Sequence, residues 1–523
     1  MARSRTAEPP TTTRTRPEDE YLGVGSSLGY GLQHVLTMYG GIIAPPLIIG
    51  GVAGVTPQEQ GLLIAACLFV GGLATILQSW GIKFFGSQLP LVQGTSFASV
   101  ATMTAIAQGE GGIQAVFGAV IASAVLGFLI TPFFASIVRF FPPVVTGVVI
   151  TAIGLTLFPV AARWAMGGNA QSPEYGSVGN LGLAGLTLLI ILLLSKVGSA
   201  VISRLSILLG LVLGTVAAVL LGKADFSQVL EGNIFAFPEP LAFGPPVFEV
   251  AAILSMFIVV LVILTETTAD IIAVGEIVDT KVDKKRIGDG LRADMAASAI
   301  APLFNGFTQS AFAQNVGLVA ITGVKSRFVV TAGGFILVVL GLLPVLGRVV
   351  AAVPPPVLGG AGIVLFGSVA AFGIRTLAKV DYKNGFNLII VATSIGFGML
   401  PIAVPEIYAN FPGWFETIFH SGISSAAVMA VLLNLLFNEF HAGNPPRGTG
   451  SVFANAPVRA VRYESLEHLQ DHLQEGDTVK NGKLMDCDGN EVPVITSAGE
   501  IVDTRICRGR EDTPGSPGGH ASH

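Results

Sequence analysis

The sequence predicts an all-α polytopic membrane protein, and three observations carry that expectation. First, 51% of the 523 residues are hydrophobic and only 12% are charged, with a mean hydropathy of +0.70; a soluble chain carries about a quarter charged residues. Second, apolar runs recur along the chain, many of about 20 residues, the length that crosses a bilayer. Third, Phe141-Pro142-Pro143-Val144-Val145-Thr146-Gly147 recurs as Val353-Pro354-Pro355-Pro356-Val357-Leu358-Gly359-Gly360, an offset of 213 when Pro142 is matched to Pro355. Ser96-Phe97-Ala98 and Ala311-Phe312-Ala313 lie 215 apart. Near-constant spacing of two matches points to an internal duplication.

Taken in order, residues 1–20 mix Arg, Thr, Pro and acids without an apolar core. They read as a disordered cytosolic tail rather than a cleavable signal. Candidate spans follow at 22–44, 59–80, 89–106, 112–138, 142–161, 178–197 and 202–221, and again at 248–274, 287–304, 310–322, 327–346, 352–374, 384–402 and 421–439. The third and tenth are short and polar, and reading both as re-entrant or surface pieces keeps the parity. Counting both gives fourteen spans, a first set of seven at 21–221 and a second at 248–440. An odd number per half places the halves inverted, with both termini on one side. Between them, 222–247 carries Pro238, Pro240, Pro245 and Pro246 and reads as an outer covering loop. The predicted inner loops hold Lys83, Arg139, Lys196, Arg204, Lys281, Lys284, Lys285, Arg286, Lys325, Arg327, Arg375, Lys379 and Lys383. The outer ones hold only Arg163, Lys223 and Arg348. That asymmetry places the termini in the cytosol of a cell whose cytoplasmic (inner) membrane the chain crosses. Residues 441–523 form a polar cytosolic tail, with a small hairpin expected near 482–495 and a disordered Gly/Pro/Ser/His-rich end. His520 and His523 read there as solvated tail residues.

Several function classes fall away. Cys67, Cys487 and Cys507 make neither a disulfide framework nor a metal spacing. No nucleophile set or phosphate loop is present, and 288–290 lacks the Lys-Ser/Thr of one. Lys284-Lys285-Arg286 reads as a topology signal rather than a nucleic-acid patch. The formal charge of −5 sits in loops and tails. No enzyme, cofactor or metal is expected.

What remains is polarity set in apolar sequence between residues 261 and 323. Glu266 and Asp270 stand four apart and share a helix face. At membrane depth such groups face protein or water. Desolvation disfavours a buried carboxylate's charge, so the pair can accept N–H donors, carry a proton, or both. An ion pair that only staples helices is the competing reading, weightier for Asp270. Gln93-Gly94-Thr95-Ser96-Phe97 and Gln309-Ser310-Ala311-Phe312-Ala313-Gln314-Asn315 read as two broken elements, since irregular backbone at membrane depth must line protein or a cavity. Gln314 offers a donor and an acceptor, and Phe97 can stack on a flat ring or simply pack. His34, beside Gln33, is the only histidine in the first four hundred residues and reads as an architectural or network residue, with proton movement the alternative. Asp294 lies beside Arg292, as an ion pair or as part of a proton network.

On Gln33-His34, Gln93-Gly94-Thr95-Ser96-Phe97, Thr265-Glu266-Thr267, Asp294 and above all Gln314-Asn315-Val316-Gly317 with Thr322-Gly323, residues 20–440 resemble the nucleobase–ascorbate transporters, also called nucleobase:cation symporter family 2. The resemblance implies two inverted seven-span repeats arranged as core and gate domains. It implies strand–helix elements at segments 3 and 10, a homodimer, and proton symport by alternating access. It implies that Glu266 and Gln314 bind a base on which Phe97 stacks. Asp294 and Asn315 match essential neighbours, and His34 and Asp270 match supporting polar positions alongside Gln93. Gln314 and the closing Gly-Val-Lys-Ser-Arg at 323–327 resemble the xanthine and uric acid branch, whereas uracil-transporting relatives commonly place Glu at the Gln314 position. The expected activity is therefore proton-coupled uptake of xanthine and/or urate. A uracil permease is the rival within the family. An anion transporter or channel of the same inverted-repeat fold is the rival outside it, and Glu266 disfavours an anion.

Overall fold

The computed structural model describes residues 16–134 and 142–439, apart from positions 228, 230–232, 383–384, 413–414 and 417–418, together with short pieces beyond residue 460. The chain divides into two compact units, Met1–Arg447 and Gly448–His523.

The large unit is a helical membrane body. Its first half runs α1 (Val24–Ala53), α2 (Pro57–Trp80), β1 (Gln93–Thr95), α3 (Val100–Ala107), α4 (Gly112–Ile130), α5 (Pro143–Thr156), α6 (Phe158–Ala165), α7 (Val178–Val197) and α8 (Ser206–Leu220). Its second half runs α9 (Val250–Val278), α10 (Lys284–Ile300), β2 (Gln309–Ala311), α11 (Ala313–Thr322), α12 (Arg327–Gly341), α13 (Pro344–Ala351), α14 (Pro355–Leu377), α15 (Gly385–Ala403) and α16 (Gly422–Asn434). Among the described residues eight helices are long and apolar enough to cross a membrane. The pair α12–α13, bent by 78°, makes a ninth if taken as one span.

Local chemistry sets many of these boundaries. Thr56 and Glu59 form a reciprocal capping box that starts α2. Ser177, Asp283 and Ser421 each accept a backbone N–H at the head of α7, α10 and α16. The repeated proline motif has a single structural meaning. Pro143 and Pro355 open α5 and α14 at the first helical position, where a missing N–H costs nothing.

Small residues let the helices approach closely, as lipid-embedded helices require. A Cβ on Gly72 of α2 would lie 2.6 Å from the Val338 nitrogen of α12, and one on Gly398 of α15 would lie 2.7 Å from the Gly422 oxygen. One apolar core joins α5, α6, α9, α14, α15 and α16. A second joins α1, α2, α7, α8, α12 and α14.

The third and tenth candidate spans prove to be short strands followed by short helices. β1 and β2 pair antiparallel, with Gln93 opposite Ala311, Gly94 opposite Ser310 and Thr95 opposite Gln309. Ser96 N–H donates to Thr308 O at 2.8 Å and Phe312 N–H to Val92 O at 3.0 Å, which extends the pairing by one step at each end. The sequence motifs that repeat are thus the segments that meet in space. α5 packs on α14 just as β1 pairs with β2.

Two expectations need correction. Residues 16–20 fall within the expected disordered tail, yet Pro17–Asp19 is a turn of 3-10 helix with Glu18 fully buried. Arg286 and Arg327 hold the carboxylates of Glu18 and Asp19. In the small unit the antiparallel hairpin pairs Thr478–Lys480 with Lys483–Met485, earlier than the expected 482–495. Asn481-Gly482, between those strands in the sequence, is the dipeptide that favours such a turn. Val494–Ile495 instead pairs with Val461–Arg462 and Ile501–Val502. The expected disorder of the C-terminal end lies outside the described residues.

Candidate substrate-binding site

The crossing of β1 and β2 places two helix starts at one point. Phe97 opens the turn of 3-10 helix that leads into α3, and Ala313 opens α11 directly after Phe312. Helix starts carry unpaired N–H groups and partial positive charge, so polar ligand atoms are favoured there. Phe312 is wedged in place: a Cβ on Gly41 of α1 or Gly94 of β1 would fall 2.7 or 2.6 Å from its ring. No larger residue at either position leaves that ring where it is. Phe97 is half-buried. Its ring lies 6.4 Å from that of Phe312 and 6.3 Å, edge to face, from that of Phe366 on α14.

α9, the helix that carries Glu266, packs against β2 and α11. Glu266 is partly exposed and Gln314 exposed. Among the described residues neither side chain makes a hydrogen bond or ion pair. Gln314 has an open neighbour at Gly317, one helical turn on, where a Cβ would meet nothing within 4 Å. The exposed stripe continues along both helices, through Ala269, Ile272 and Glu276 on α9 and through Ala320 and Ile321 on α11.

Several of the neighbouring polar groups are bonded to protein. Thr267 Oγ1 donates to Asp294 Oδ2 at 2.7 Å, and the Ala311 amide lies 3.5 Å from the same hydroxyl. Asp294 is 1% exposed. It does not pair with Arg292, contrary to one expectation, because residues two apart on a helix point away from each other. Arg292 pairs with Asp289 instead. Thr267 thus links the carboxylate helix α9, the acid of α10 and strand β2.

Asn315 places its side-chain N–H groups 3.1 Å from His34 Nδ1 and 3.1 Å from His34 O. Both are acceptors in that arrangement, so the ring proton of His34 sits on Nε2. This contact clasps α1 to α11. Replacing Asn315 by Ala leaves the buried Nδ1 of His34 without its donor, a loss of about 1–3 kcal/mol. The expected result is a lower thermal midpoint for purified Asn315→Ala, and a wild-type midpoint would remove the clasp.

Asp270 is buried, and its Oδ2 has no partner. The Gln93 side chain is fully buried with neither amide atom bonded, while its backbone N–H donates to Thr75 Oγ1 at 2.9 Å. The structure does not bring Gln93 into the Asn315–His34 contact. Thr322 and Gly323 end α11, with Gly323 in the left-handed region at φ +67°, so the close of the signature is a helix stop. Sequence reasoning missed Phe366 and the linking hydroxyl of Thr267. Phe366 sits in an apolar helix where nothing in its neighbourhood distinguishes it from core. A separate small apolar pocket between α1, α6, α8 and α14, lined by Gly40, Leu47, Trp164, Leu358 and Leu365 among others, holds none of these polar residues.

A family model described as a permease family matches residues 25–407. The chain is 40% identical to the xanthine permease of Bacillus subtilis over 80% of its own length and 95% of that protein. It is 39% identical to the uric acid transporter UacT of Escherichia coli, over 83% and 91%, and 41% identical to the uric acid permease PucJ of Bacillus subtilis, over 78% and 91%. Among solved structures it is similar in fold to the transmembrane domain of a cyanobacterium bicarbonate transporter, BicA, with a TM-score of 0.53, 15% identity, and coverage of 79% of this chain and 99% of that one. It is similar also to the murine solute carrier 26 family member A9 anion transporter in the inward-facing state, with a TM-score of 0.57, 13% identity, and coverage of 80% and 69%.

Proposed function

The chain belongs to the nucleobase–ascorbate transporter family, in its xanthine and uric acid permease branch, and is a secondary active transporter rather than an enzyme; from that premise we propose that it imports xanthine and/or urate together with protons. One observation carries the reading. Glu266, on the helix that packs against β2 and α11, and Gln314, in the first turn of α11, are at least partly exposed and, among the described residues, without a protein partner, and Phe97 is half-buried where the matching element begins. A purine dione offers ring N–H donors to the Glu266 carboxylate and a mixed donor and acceptor edge to the Gln314 amide. Phe97 supplies an aromatic face.

The inverted-repeat reading completes the proposal. The bent pair counted as one span, four shorter apolar helices and α10 bring the eight long helices to fourteen. The pairing of β1 with β2, at matching places in the two halves, supports their inversion. The core then carries α1–α4 and α9–α13, and the gate carries the rest, in a homodimer whose termini face the cytosol. The exposed stripe along α9 and α11 supports a state open to that side. On the other side Thr102 of α3 meets Ser421 at 2.9 Å, a contact between core and gate that accompanies closure. Proton coupling would act through the polar groups at Glu266, Thr267–Asp294, Asp270 and His34, by changing base affinity or the balance of the two access states.

Uptake of radiolabelled xanthine tests this, with unlabelled urate, uracil, guanine and ascorbate as competitors and with pH gradients of both signs imposed across vesicles. Inhibition by urate and acceleration by an inward proton gradient are expected. Inhibition by uracil alone would transfer the chain to the uracil reading, and indifference to the gradient would remove proton coupling.

A further inference from the structure

We propose that Arg286 is a positioning residue for the transport site, the joint that holds the two halves of the site in register, with Glu18 of the N-terminal segment as its counter-charge. The inference rests on the site proposed above. The sequence offers Arg286 only as one of three basic residues that orient the chain in the membrane. Its contacts say more. Nε donates to Ser87 O at 2.6 Å and Nη2 to Gln88 O at 2.8 Å, both in the segment that leads into β1. Nη1 donates to Thr280 Oγ1 and Lys281 O, each at 3.3 Å, in the turn just after α9. Nη2 also reaches Glu18 Oε1 at 2.6 Å, and Thr280 Oγ1 donates to that same carboxylate oxygen at 3.1 Å. One guanidinium therefore joins the start of the Phe97 element, the end of the Glu266 helix and the N-terminal segment.

Three features favour positioning over simple charge. Glu18 is fully buried and the Arg286 side chain 12% exposed, so the pair is shielded from the salt that weakens surface pairs. Gln88 holds φ at +54°, an uncommon conformation for a residue with a Cβ. The arginine fork fixes the two consecutive carbonyls on which that conformation depends. A lysine keeps the charge, and so the orientation signal, but its point-like ammonium cannot span carbonyls, hydroxyl and carboxylate at once. By contrast Lys284 and Lys285 beside it are exposed, and Lys285 pairs only along its own helix with Asp289.

The test compares the purified full-length wild type with Arg286→Lys, Glu18→Gln and Glu266→Gln. Binding of radiolabelled xanthine is measured per folded molecule, with uptake KM and Vmax from the same preparations. The expected result is an Arg286→Lys protein that inserts and purifies normally but binds xanthine roughly fivefold more weakly, with a raised KM, and a smaller weakening for Glu18→Gln. Wild-type affinity in Arg286→Lys overturns the proposal. Should that variant yield no folded protein, Glu18→Gln decides by the same criterion. Glu266→Gln separates the two failures: if it loses binding while Arg286→Lys does not, the joint is wrong and the site stands. If Glu266→Gln binds normally, the site itself is misplaced.

Discussion

Glu266→Gln is expected to lower xanthine affinity on the order of 100-fold while leaving the fold intact, the loss of one charge-assisted hydrogen bond and of the charge behind the other. The size follows from geometry. A carboxylate presents two acceptor oxygens, whereas an amide presents one acceptor and one donor group. Against two ring N–H groups the amide keeps one bond and sets donor against donor at the other. The fold is spared because Glu266 makes no hydrogen bond or ion pair among the described residues and is partly exposed. Thermal unfolding separates these effects. Xanthine should raise the midpoint of the wild type, since a ligand that binds only the folded state stabilises it. The mutant should unfold at the ligand-free wild-type temperature and show no rise with xanthine. A mutant that binds and is stabilised as the wild type would remove Glu266 from the site.

The membrane character and the two broken elements were legible in the sequence because each left a local mark. Apolar runs reveal long helices one at a time, and the polar stretches around Gln93 and Gln309 interrupt them at corresponding places. Glu266, Gln314 and Phe97 stand out as candidates for a similar reason, since polar or aromatic groups beside broken backbone at membrane depth call for an explanation. Partnerships between distant segments were not. Nothing near Asp294 shows that its bond goes to Thr267, 27 positions away, rather than to Arg292. Nothing near Glu18 shows that it will be buried against Arg286, because its flanks have the polarity of a disordered tail. The hairpin at 478–485 differs for another reason. Apolar alternation continues past it to Ile495, and the Asn481-Gly482 dipeptide is the stronger local mark of where the chain turns.

Gly72→Leu carries the largest expected effect on stability, and it separates assembly of the fold from binding at the site. Gly72 faces α12 so closely that a Cβ would stand 2.6 Å from Val338 N and 2.7 Å from Gly334 O. Those are backbone atoms and cannot rotate away, and a Cβ on Gly334 would reciprocally lie 2.9 Å from Gly72 O. Even Ala must push the helices apart, at about 1–3 kcal/mol for overpacking, and Leu must separate them along their length. That separation also strains Ser79 Oγ against Thr331 Oγ1, 2.8 Å apart, and the bond of Arg327 Nη1 to Ser79 O at 3.2 Å. The neighbouring Gly71 faces the other way, where a Cβ would lie 3.5 Å from Gly94 Cα of β1. α2 therefore positions β1 with one face and grips α12 with the next. Fluorescence-detected size exclusion after detergent extraction should show Gly72→Ala as a destabilised monodisperse peak and Gly72→Leu as aggregate or no protein, with no recovery on adding xanthine. A monodisperse Gly72→Leu protein of wild-type midpoint would mean that α2 and α12 do not touch as described.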